Sequence, residues 1–389
     1  MSGSRDYCPG WRSSESSLNR RDFLRKASMA AVGVAAGMSA GVGSQALAAE
    51  EAPAVNGLPA AVFGRTGLKV TKISFGGILI TEPPVLARAI DQGINLIHTA
   101  PGYQNGRSME AFGKVMKTHR KKVVLALKAR PENLDSALKE LNTDYVDILV
   151  PPMHSVGAIQ DPSIPENFAK AKKAGKCGFM GFACHSHMAD VLNKARELGY
   201  YDATLMSYGR SDSPTFLTAA KRAVEAGIGI MTMKGLPKRA SEGLTPEEMK
   251  TVTSLCTSMV GPKHAHTVLA SMGSFQAVVS YLDILQTKLG FHNPSLEQRY
   301  WADQQGKYCS NCGNCSMVCP SGEEISRIVR YRMYYKDYGL TDYARACYAE
   351  LEPRTDPATL LENCKLCERA CSRGLPLAGM VREAHVLLS

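Results

Sequence analysis

The sequence lacks three patterns that would point to particular partners. No basic run or aromatic-interleaved basic patch occurs in its 389 residues, which argues against nucleic acid as a partner. No G-x-G-x-x-G fingerprint follows the first predicted strand. None of the apolar runs is hydrophobic enough to predict a transmembrane helix. The hydrophobic content of 44% is ordinary, so we expect a real core, and the length allows a large domain with a small appendage.

Twelve cysteines are present, and seven of them form two spaced groups near the C-terminus. The first group reads C-x2-C-x2-C-x3-C-P and consists of Cys309, Cys312, Cys315 and Cys319, followed by Pro320. This spacing is typical of bacterial ferredoxin modules, in which three thiolates hold one cubane iron–sulfur cluster and the fourth ligates a second. The first group therefore predicts an iron–sulfur site.

The second cysteine group is incomplete. Cys364, Cys367 and Cys371 read C-x2-C-x3-C, and Leu361 stands where the first cysteine of the motif is expected. Under the exchange rule, Cys371 completes the cluster that the first three cysteines of the first group begin. The other cysteines of both groups would hold a second cluster, with Cys347, a three-iron cluster or an outside ligand filling the last place. We predict one or two 4Fe–4S clusters; with one, the spare cysteines are buried thiols.

The N-terminus carries the marks of a targeting segment. Residues 19–26, with Arg20 and Arg21, resemble the twin-arginine export signal, and the uncharged stretch 28–49 contains an A-x-A cleavage site at 46–48. We therefore predict a signal peptide over 1–48, a linker over 49–60, and export to the periplasm or beyond by the twin-arginine translocase. This route carries folded proteins with cofactors installed, so signal and cluster motif support each other.

Strand-like and helix-like patterns alternate after the linker. Eight short apolar runs predict strands, at Lys72–Gly77, Asn95–Ala100, Val123–Ala129, Val146–Val150, Gly178–Cys184, Ala203–Tyr208, Ile228–Lys234 and Thr267–Met272. Eight β-then-α units predict an α/β fold, a (β/α)8 TIM barrel over residues 61–290, with an open doubly wound sheet as the alternative. The alternation ends at residue 291, and we predict a small, mainly helical ferredoxin-type iron–sulfur domain over 291–389.

Chemistry in such a barrel belongs at the C-terminal ends of the strands, where His98, Tyr103, Lys128 and His154 fall. Five segments resemble the aldo-keto reductases, namely residues 63–70, 93–103, 106–113, 125–128 and 141–147. The resemblance covers residues 61–290, and with the C-terminal cysteine groups the chain looks like the ferredoxin-fused branch of that family.

The resemblance implies a catalytic mechanism. Tyr103 would protonate a carbonyl oxygen while NADPH delivers hydride, Lys128 would lower the pKa of that tyrosine, and a histidine, here His154, would orient the substrate. A free tyrosine has a pKa of about 10 and is a poor acid at neutral pH, so a nearby ammonium is needed. The expected partners are a small-molecule carbonyl or alcohol substrate and a redox partner protein.

The sequence departs from the family pattern at the cofactor and the substrate. His98 occupies the position of the aspartate that would hold Lys128, and His154 lies two residues beyond the usual histidine. Ala183 replaces the residue that binds the nicotinamide amide, and the loop after the eighth strand lacks its basic residue. The remaining predicted cofactor contacts are Tyr208, Gly273 and Ser274. NADP is therefore left open as a cofactor.

Two functional hypotheses follow. The first is an exported iron–sulfur oxidoreductase of aldo-keto reductase type, in which Tyr103 and Lys128 act on a carbonyl or alcohol and 4Fe–4S clusters relay electrons. The second is a barrel that has lost catalysis and serves as an electron-transfer or binding component of a larger redox complex. The retained Tyr103, Lys128 and Tyr208 favour the first, whereas His98 and Ala183 favour the second.

Overall fold

The computed structural model describes residues 53–207, 214–237, 242–261, 265–309, 311–351 and 365–389. The predicted signal peptide and the first residues of the predicted linker lie outside the described residues, as do Tyr208 and Cys364. Among the helices described, none combines the length and the apolar character that a membrane span requires.

Eight parallel strands close into a barrel, which confirms the predicted (β/α)8 fold. Each strand pairs with its neighbour in the chain, and the last pairs with the first, with Val268 beside Ile73. Nearly every strand residue is buried, because a parallel barrel covers both faces of its sheet, and this explains why the strands read as continuous apolar runs. The strands are β4 (Ile73–Gly76), β5 (Leu96–Thr99), β6 (Val124–Leu127), β7 (Val146–Leu149), β8 (Cys177–Cys184), β9 (Ala203–Ser207), β10 (Gly229–Met233) and β11 (Thr267–Ala270).

A small antiparallel sheet precedes the barrel and consists of β1 (Ala54–Val55), β2 (Leu58–Val62) and β3 (Lys69–Thr71). Phe63 follows β2 and packs among the residues that fill the barrel interior. Its ring lies against the first residue of β10, since a Cβ on Gly229 would come within 2.6 Å of it. Phe63 therefore fills the N-terminal end of the barrel and leaves the opposite end for chemistry.

Helices follow most barrel strands and pack their apolar faces on the outside of the barrel. The helix over 188–198 ends at Gly199, whose φ of 75° is a left-handed conformation that favours glycine. The helices of this part are Pro83–Asp91, Arg107–His119, Leu134–Glu140, Val156–Ile159, Ser163–Lys173, Met188–Leu198, Pro214–Glu225, Pro246–Met259, Phe275–Asp283 and Pro294–Gln304. Short 3-10 turns (Gly64–Thr66, Gly77–Leu79, Arg120–Lys122, Pro131–Asn133) and a π-helical turn (Ile284–Lys288) complete it.

The described residues between 305 and 389, called here the helical module, have an apolar core of their own. Its helices are Asn314–Met317, Ile325–Lys336, Thr341–Ala349, Leu366–Arg369 and Leu377–Leu388. Ile78 and Leu79, in the turn after β4, pack against this core. The preceding helix over 294–304 instead packs on the barrel, where Ser254 bonds to Glu297 at 2.5 Å. The helical module thus lies at the C-terminal mouth of the barrel.

Two outer helices approach each other so closely at Gly113 that a larger residue there should lower the stability of the protein. A Cβ on Gly113, within the helix over 107–119, would lie 2.1 Å from the carbonyl oxygen of Glu140. We expect Gly113→Ala to destabilise the protein by about 1–3 kcal/mol through overpacking, although alanine is the better helix former. Gly379→Ala is the matched control, because nothing lies within 4 Å of its Cβ in another helix. Urea midpoints followed by circular dichroism measure both, and a Gly113→Ala midpoint at or above wild type would contradict the expectation.

Candidate functional site

His98 and Tyr103 meet at the C-terminal mouth of the barrel. The His98 side chain lies in β5, is 2% exposed, and its ring stands edge-on to that of Tyr103 with centroids 5.9 Å apart. Burial, aided by the charge of Lys128, lowers the pKa of His98 to about 3. Its buried Nε2 has no hydrogen-bond partner within the described parts of the chain. His98 is therefore neutral at physiological pH and cannot give Lys128 a negative partner.

The turn after Tyr103 is held in an unusual backbone conformation. Gln104 and Asn105 both have a φ of 54°, in the left-handed region, and Gly106 follows with a φ of 86°. The side-chain amide of Gln104 is buried and donates to the carbonyl oxygen of Ile78 at 3.1 Å. Strained backbone that the surrounding structure enforces is common at functional sites. The turn fixes Tyr103 relative to the loop after β4.

Lys128 acts electrostatically on two of the buried histidines. It directly follows β6, and its backbone N–H donates to the carbonyl oxygen of Thr99 at 2.9 Å. The charge of Lys128 helps to lower the pKa of both His98 and His185, although burial is the larger cause for each. The ammonium group is therefore within electrostatic reach of both rings across the mouth.

His154 and His185 form a second pair at the same mouth, with ring centroids 5.4 Å apart. The backbone N–H of His185 donates to Nδ1 of His154 at 3.3 Å. Because this Nδ1 accepts a hydrogen bond, a neutral His154 carries its proton on Nε2 and can donate it. The His185 ring bonds through Nδ1 to the Ser207 hydroxyl at 2.7 Å. His154 is thus oriented by the end of β8, despite its displaced position in the sequence.

Two residues of this mouth were assigned no function from the sequence. His185 directly follows β8, and burial lowers its pKa well below the usual value. Lys234 directly follows β10, has a left-handed φ of 63°, and carries a buried Nζ. The charge of Lys234 also acts on His185. Their positions directly after a barrel strand could have identified both as site residues, because the loops at that end of the barrel carry the chemistry.

The predicted cofactor loop after β11 contains no cation. Ser274 accepts a hydrogen bond from the backbone N–H of Ala277 at 3.1 Å and so caps the following helix, and Gly273 precedes it half-buried. No Lys, Arg or His occurs between Thr267 and Thr287. Ala183, at the predicted nicotinamide contact, is fully buried in β8. A dinucleotide bound at this loop would therefore meet a capped helix start that carries no basic side chain.

Four cysteines from both sequence groups line one cavity in the helical module. Cys309, Cys312, Cys315 and Cys371 all line the same cavity. Backbone N–H groups point at two of the sulfurs, from Asn311 to Cys309 Sγ at 3.3 Å and from Leu375 to Cys371 Sγ at 3.5 Å. None of the ten described cysteines forms a disulfide. The structure thus brings together the four residues that the exchange rule pairs.

The surroundings of this four-cysteine cavity are partly cationic. Arg373 also lines it, and its buried Nε has no hydrogen-bond partner in the part of the chain that the structure describes. The pKa of Cys315 is raised to about 12, chiefly by burial and in part by the thiols of Cys309, Cys312 and Cys371. A bound cation removes such protons from thiols that would otherwise keep them. The cavity therefore combines soft sulfur ligands with an unsatisfied cationic donor.

The remaining cysteines near the C-terminus lie in the core of the helical module, beside that core, or outside the described residues. Cys347 and Cys367 are buried in the core of the helical module, Cys319 is half-buried beside that core, and Cys364 lies outside the described residues. Within the described ranges, no group of three or more His, Cys, Asp or Glu residues is close enough to hold one metal ion. The thiolates of a cubane cluster stand farther apart than the ligands of a single ion, because the cluster itself separates them.

Comparisons with known proteins concern the barrel. Residues 82–209 match the model of the Aldo/keto reductase family. Aldo-keto reductase YhdN of Bacillus subtilis (strain 168) is 32% identical over 113 residues, a match that covers 21% of this chain and 34% of that protein. The chain therefore matches about a third of the length of that curated relative.

Solved structures resemble the fold. Aldo-keto reductase AKR11C1 from Bacillus halodurans, in its holo form, is 18% identical with a TM-score of 0.50, covering 63% of this chain and 96% of that chain. An aldo/keto reductase from Klebsiella pneumoniae, in complex with NADP and acetate, is 18% identical with a TM-score of 0.49, covering 62% of this chain and 95% of that chain. Residues 82–209 of the barrel thus match the Aldo/keto reductase family model, and the likeness to the Bacillus halodurans structure extends to the fold.

Proposed function

We propose that this chain, whose barrel matches the Aldo/keto reductase family model over residues 82–209, is an exported iron–sulfur oxidoreductase that acts on a small-molecule carbonyl or alcohol. The observation that carries the proposal is that Tyr103, Lys128 and His154 each contact or act electrostatically on at least one of the two buried histidines of the barrel mouth, against which the helical module packs. Export by the twin-arginine translocase is proposed from residues 1–48, and a separate redox partner protein completes the electron path.

Each of the barrel residues has its own role in the transfer of a proton to the carbonyl oxygen. Tyr103 is the general acid that donates its phenolic proton to the carbonyl oxygen, and the ammonium of Lys128 stabilises the tyrosinate that remains. His154, with its proton on Nε2, donates a hydrogen bond that orients the same oxygen. The neutral His98 stands edge-on to the Tyr103 ring. In the oxidative direction, Tyr103 takes the proton back from an alcohol.

An iron–sulfur cluster fits the cavity of four cysteines. Cys309, Cys312, Cys315 and Cys371 would hold it, and the N–H groups directed at two of their sulfurs are the kind of hydrogen bond that tunes such clusters. Arg373 would supply its unsatisfied donor to the anionic cluster. When bound, a cluster supplies one-electron redox chemistry beside the barrel mouth. Cys319, Cys364 and Cys367 remain the proposed ligands of a second cluster, with Cys347, a three-iron cluster or an outside ligand filling the last place.

A phosphorylated dinucleotide fits the residues poorly, so we derive no hydride step. A missing phosphate-binding cation costs about 1–3 kcal/mol of charge-assisted hydrogen bonding, or roughly ten- to hundred-fold in affinity. NADP nevertheless stays a candidate cofactor, because the capped helix start of the family pattern is present after β11. The neutral His98 beside Lys128 favours the second candidate function, a barrel without catalysis in a larger redox complex.

Restoring the missing cation tests the role of the loop after β11. Gln276 is exposed in the first turn of the helix over 275–283, and we expect Gln276→Arg to tighten NADPH binding by about ten- to hundred-fold. Isothermal titration of NADPH into anaerobically purified, cluster-loaded protein measures the change. Gln286→Arg, the same substitution at an exposed position ten residues later, is the control. Equal affinities in all three proteins would mean that this loop does not bind the dinucleotide.

A further inference from the structure

The turn between the first two cysteines of the cavity is tied to the barrel mouth. Asn311 is buried, with a left-handed φ of 62°, and its carbonyl oxygen accepts a hydrogen bond from the Ser186 hydroxyl at 3.3 Å. Ser186 follows His185 at the end of β8. A Cβ on Gly313 would lie 3.5 Å from the same hydroxyl, so this loop rests directly against the barrel. The cysteine cavity and the barrel mouth are therefore joined by a short bonded path.

Asn311 also connects Cys309 to a cation. Its backbone N–H donates to Cys309 Sγ at 3.3 Å, and its side-chain Oδ1 accepts from Nε of Arg330 at 3.0 Å. Arg330 belongs to the helix over 325–336 of the helical module. One residue thus holds a ligand sulfur, an arginine from a second element and a serine from the barrel.

A second cation comes from the barrel side, where Lys234 directly follows β10. Beyond burial, the charges of Lys234 and Arg330 lower the pKa of His185, whose neighbour Ser186 bonds to Asn311. Lys234 has a left-handed backbone, which is costly for a lysine, and its Nζ is buried. Such costs are typical of a residue kept for its function.

We propose that Arg330 and Lys234 are positioning residues that stabilise the reduced state of the cluster held at Cys309, the corner that faces the barrel mouth. The inference rests on the proposed function, since it requires the cluster. Reduction adds one electron, supplied in the experiment by dithionite, to an already anionic cluster. Two fixed positive charges at one corner favour that added charge and raise the reduction potential. This makes the Cys309 corner the point of electron exchange between the helical module and the barrel.

The test is a dithionite titration of anaerobically purified full-length protein, followed by electron paramagnetic resonance. We expect Arg330→Gln and Lys234→Asn each to lower the ratio of reduced to oxidised cluster at a fixed potential by about tenfold, or about 59 mV for a one-electron couple. Asparagine is chosen at 234 because it tolerates the left-handed backbone. Arg330→Lys keeps the charge and should restore a potential close to that of wild type.

Arg332→Gln is the matched control, because it removes the same charge from the same helix at a residue that pairs with Glu383. An unchanged potential in both Arg330→Gln and Lys234→Asn, with iron retained, would overturn this inference and leave the proposed function standing. A shift in Arg332→Gln equal to that in Arg330→Gln would also overturn it, since net charge alone would then explain the effect. Wild-type protein without iron would overturn the proposed function, and this inference with it.

Discussion

Tyr103→Phe is expected to lower the rate of carbonyl reduction by about 10²–10⁴-fold, the usual contribution of a general acid. The substitution keeps the ring that stands edge-on to His98 and removes only the phenolic proton. The substrate for the measurement is whichever carbonyl compound the wild-type protein reduces in a screen, with dithionite-reduced methyl viologen as the electron donor. Steady-state kcat is the quantity compared, because a lost proton donor acts on the chemical step.

Tyr145→Phe serves as the control for this prediction. Tyr145 immediately precedes β7, at the end of the barrel opposite the mouth, and Arg120 lies over its ring at 3.7 Å, a contact that phenylalanine preserves. Its activity should equal that of wild type. If Tyr103→Phe retained full activity, Tyr103 would not be the acid. If wild type reduced no carbonyl in the screen, the second candidate function, an electron-transfer component, would be favoured.

Cys312→Ser is expected to remove one cluster, which amounts to about four iron atoms per chain. Cys312 lines the cavity, and three other cysteines complete its ligand set. Cys371→Ser should cost the same amount of iron, although Cys371 belongs to the other sequence group. Iron and acid-labile sulfide, measured after anaerobic reconstitution, give the comparison. Cys256→Ala is the control, because that cysteine lies in the barrel core.

Comparing the two cysteine variants distinguishes two questions. One is whether the cavity holds a cluster, and the other is whether Cys371 is its fourth ligand. Full iron content in Cys371→Ser, with iron lost in Cys312→Ser, would mean that the fourth ligand comes from elsewhere. Unchanged iron in both variants would contradict the assignment of the cavity. A fall in iron for Cys256→Ala would indicate that loss of stability, and not loss of a ligand, explains the measurements.

The barrel itself was predictable from the amino-acid sequence. All eight predicted strands exist, and most of their ends shift by only one or two residues. A strand covered on both faces must be apolar at every position, so the buried runs stand out from the amphipathic helices. Glycines such as Gly199 end helices through local backbone geometry, which a sequence shows directly. The spacing of the cysteines is likewise a property of a short stretch of sequence and can be seen directly.

The sequence by itself therefore determined the strands, the helix ends and the two cysteine groups, because each depends on residues within a few positions of one another. Only the tertiary structure decided which groups meet. His185 and Lys234 reach one mouth because β8 and β10 belong to the same closed barrel, and Arg330 reaches it from the helical module. Cys371 joins the first cysteine group across the core of that module. Such contacts depend on barrel closure and packing between distant segments, and no local pattern encodes them.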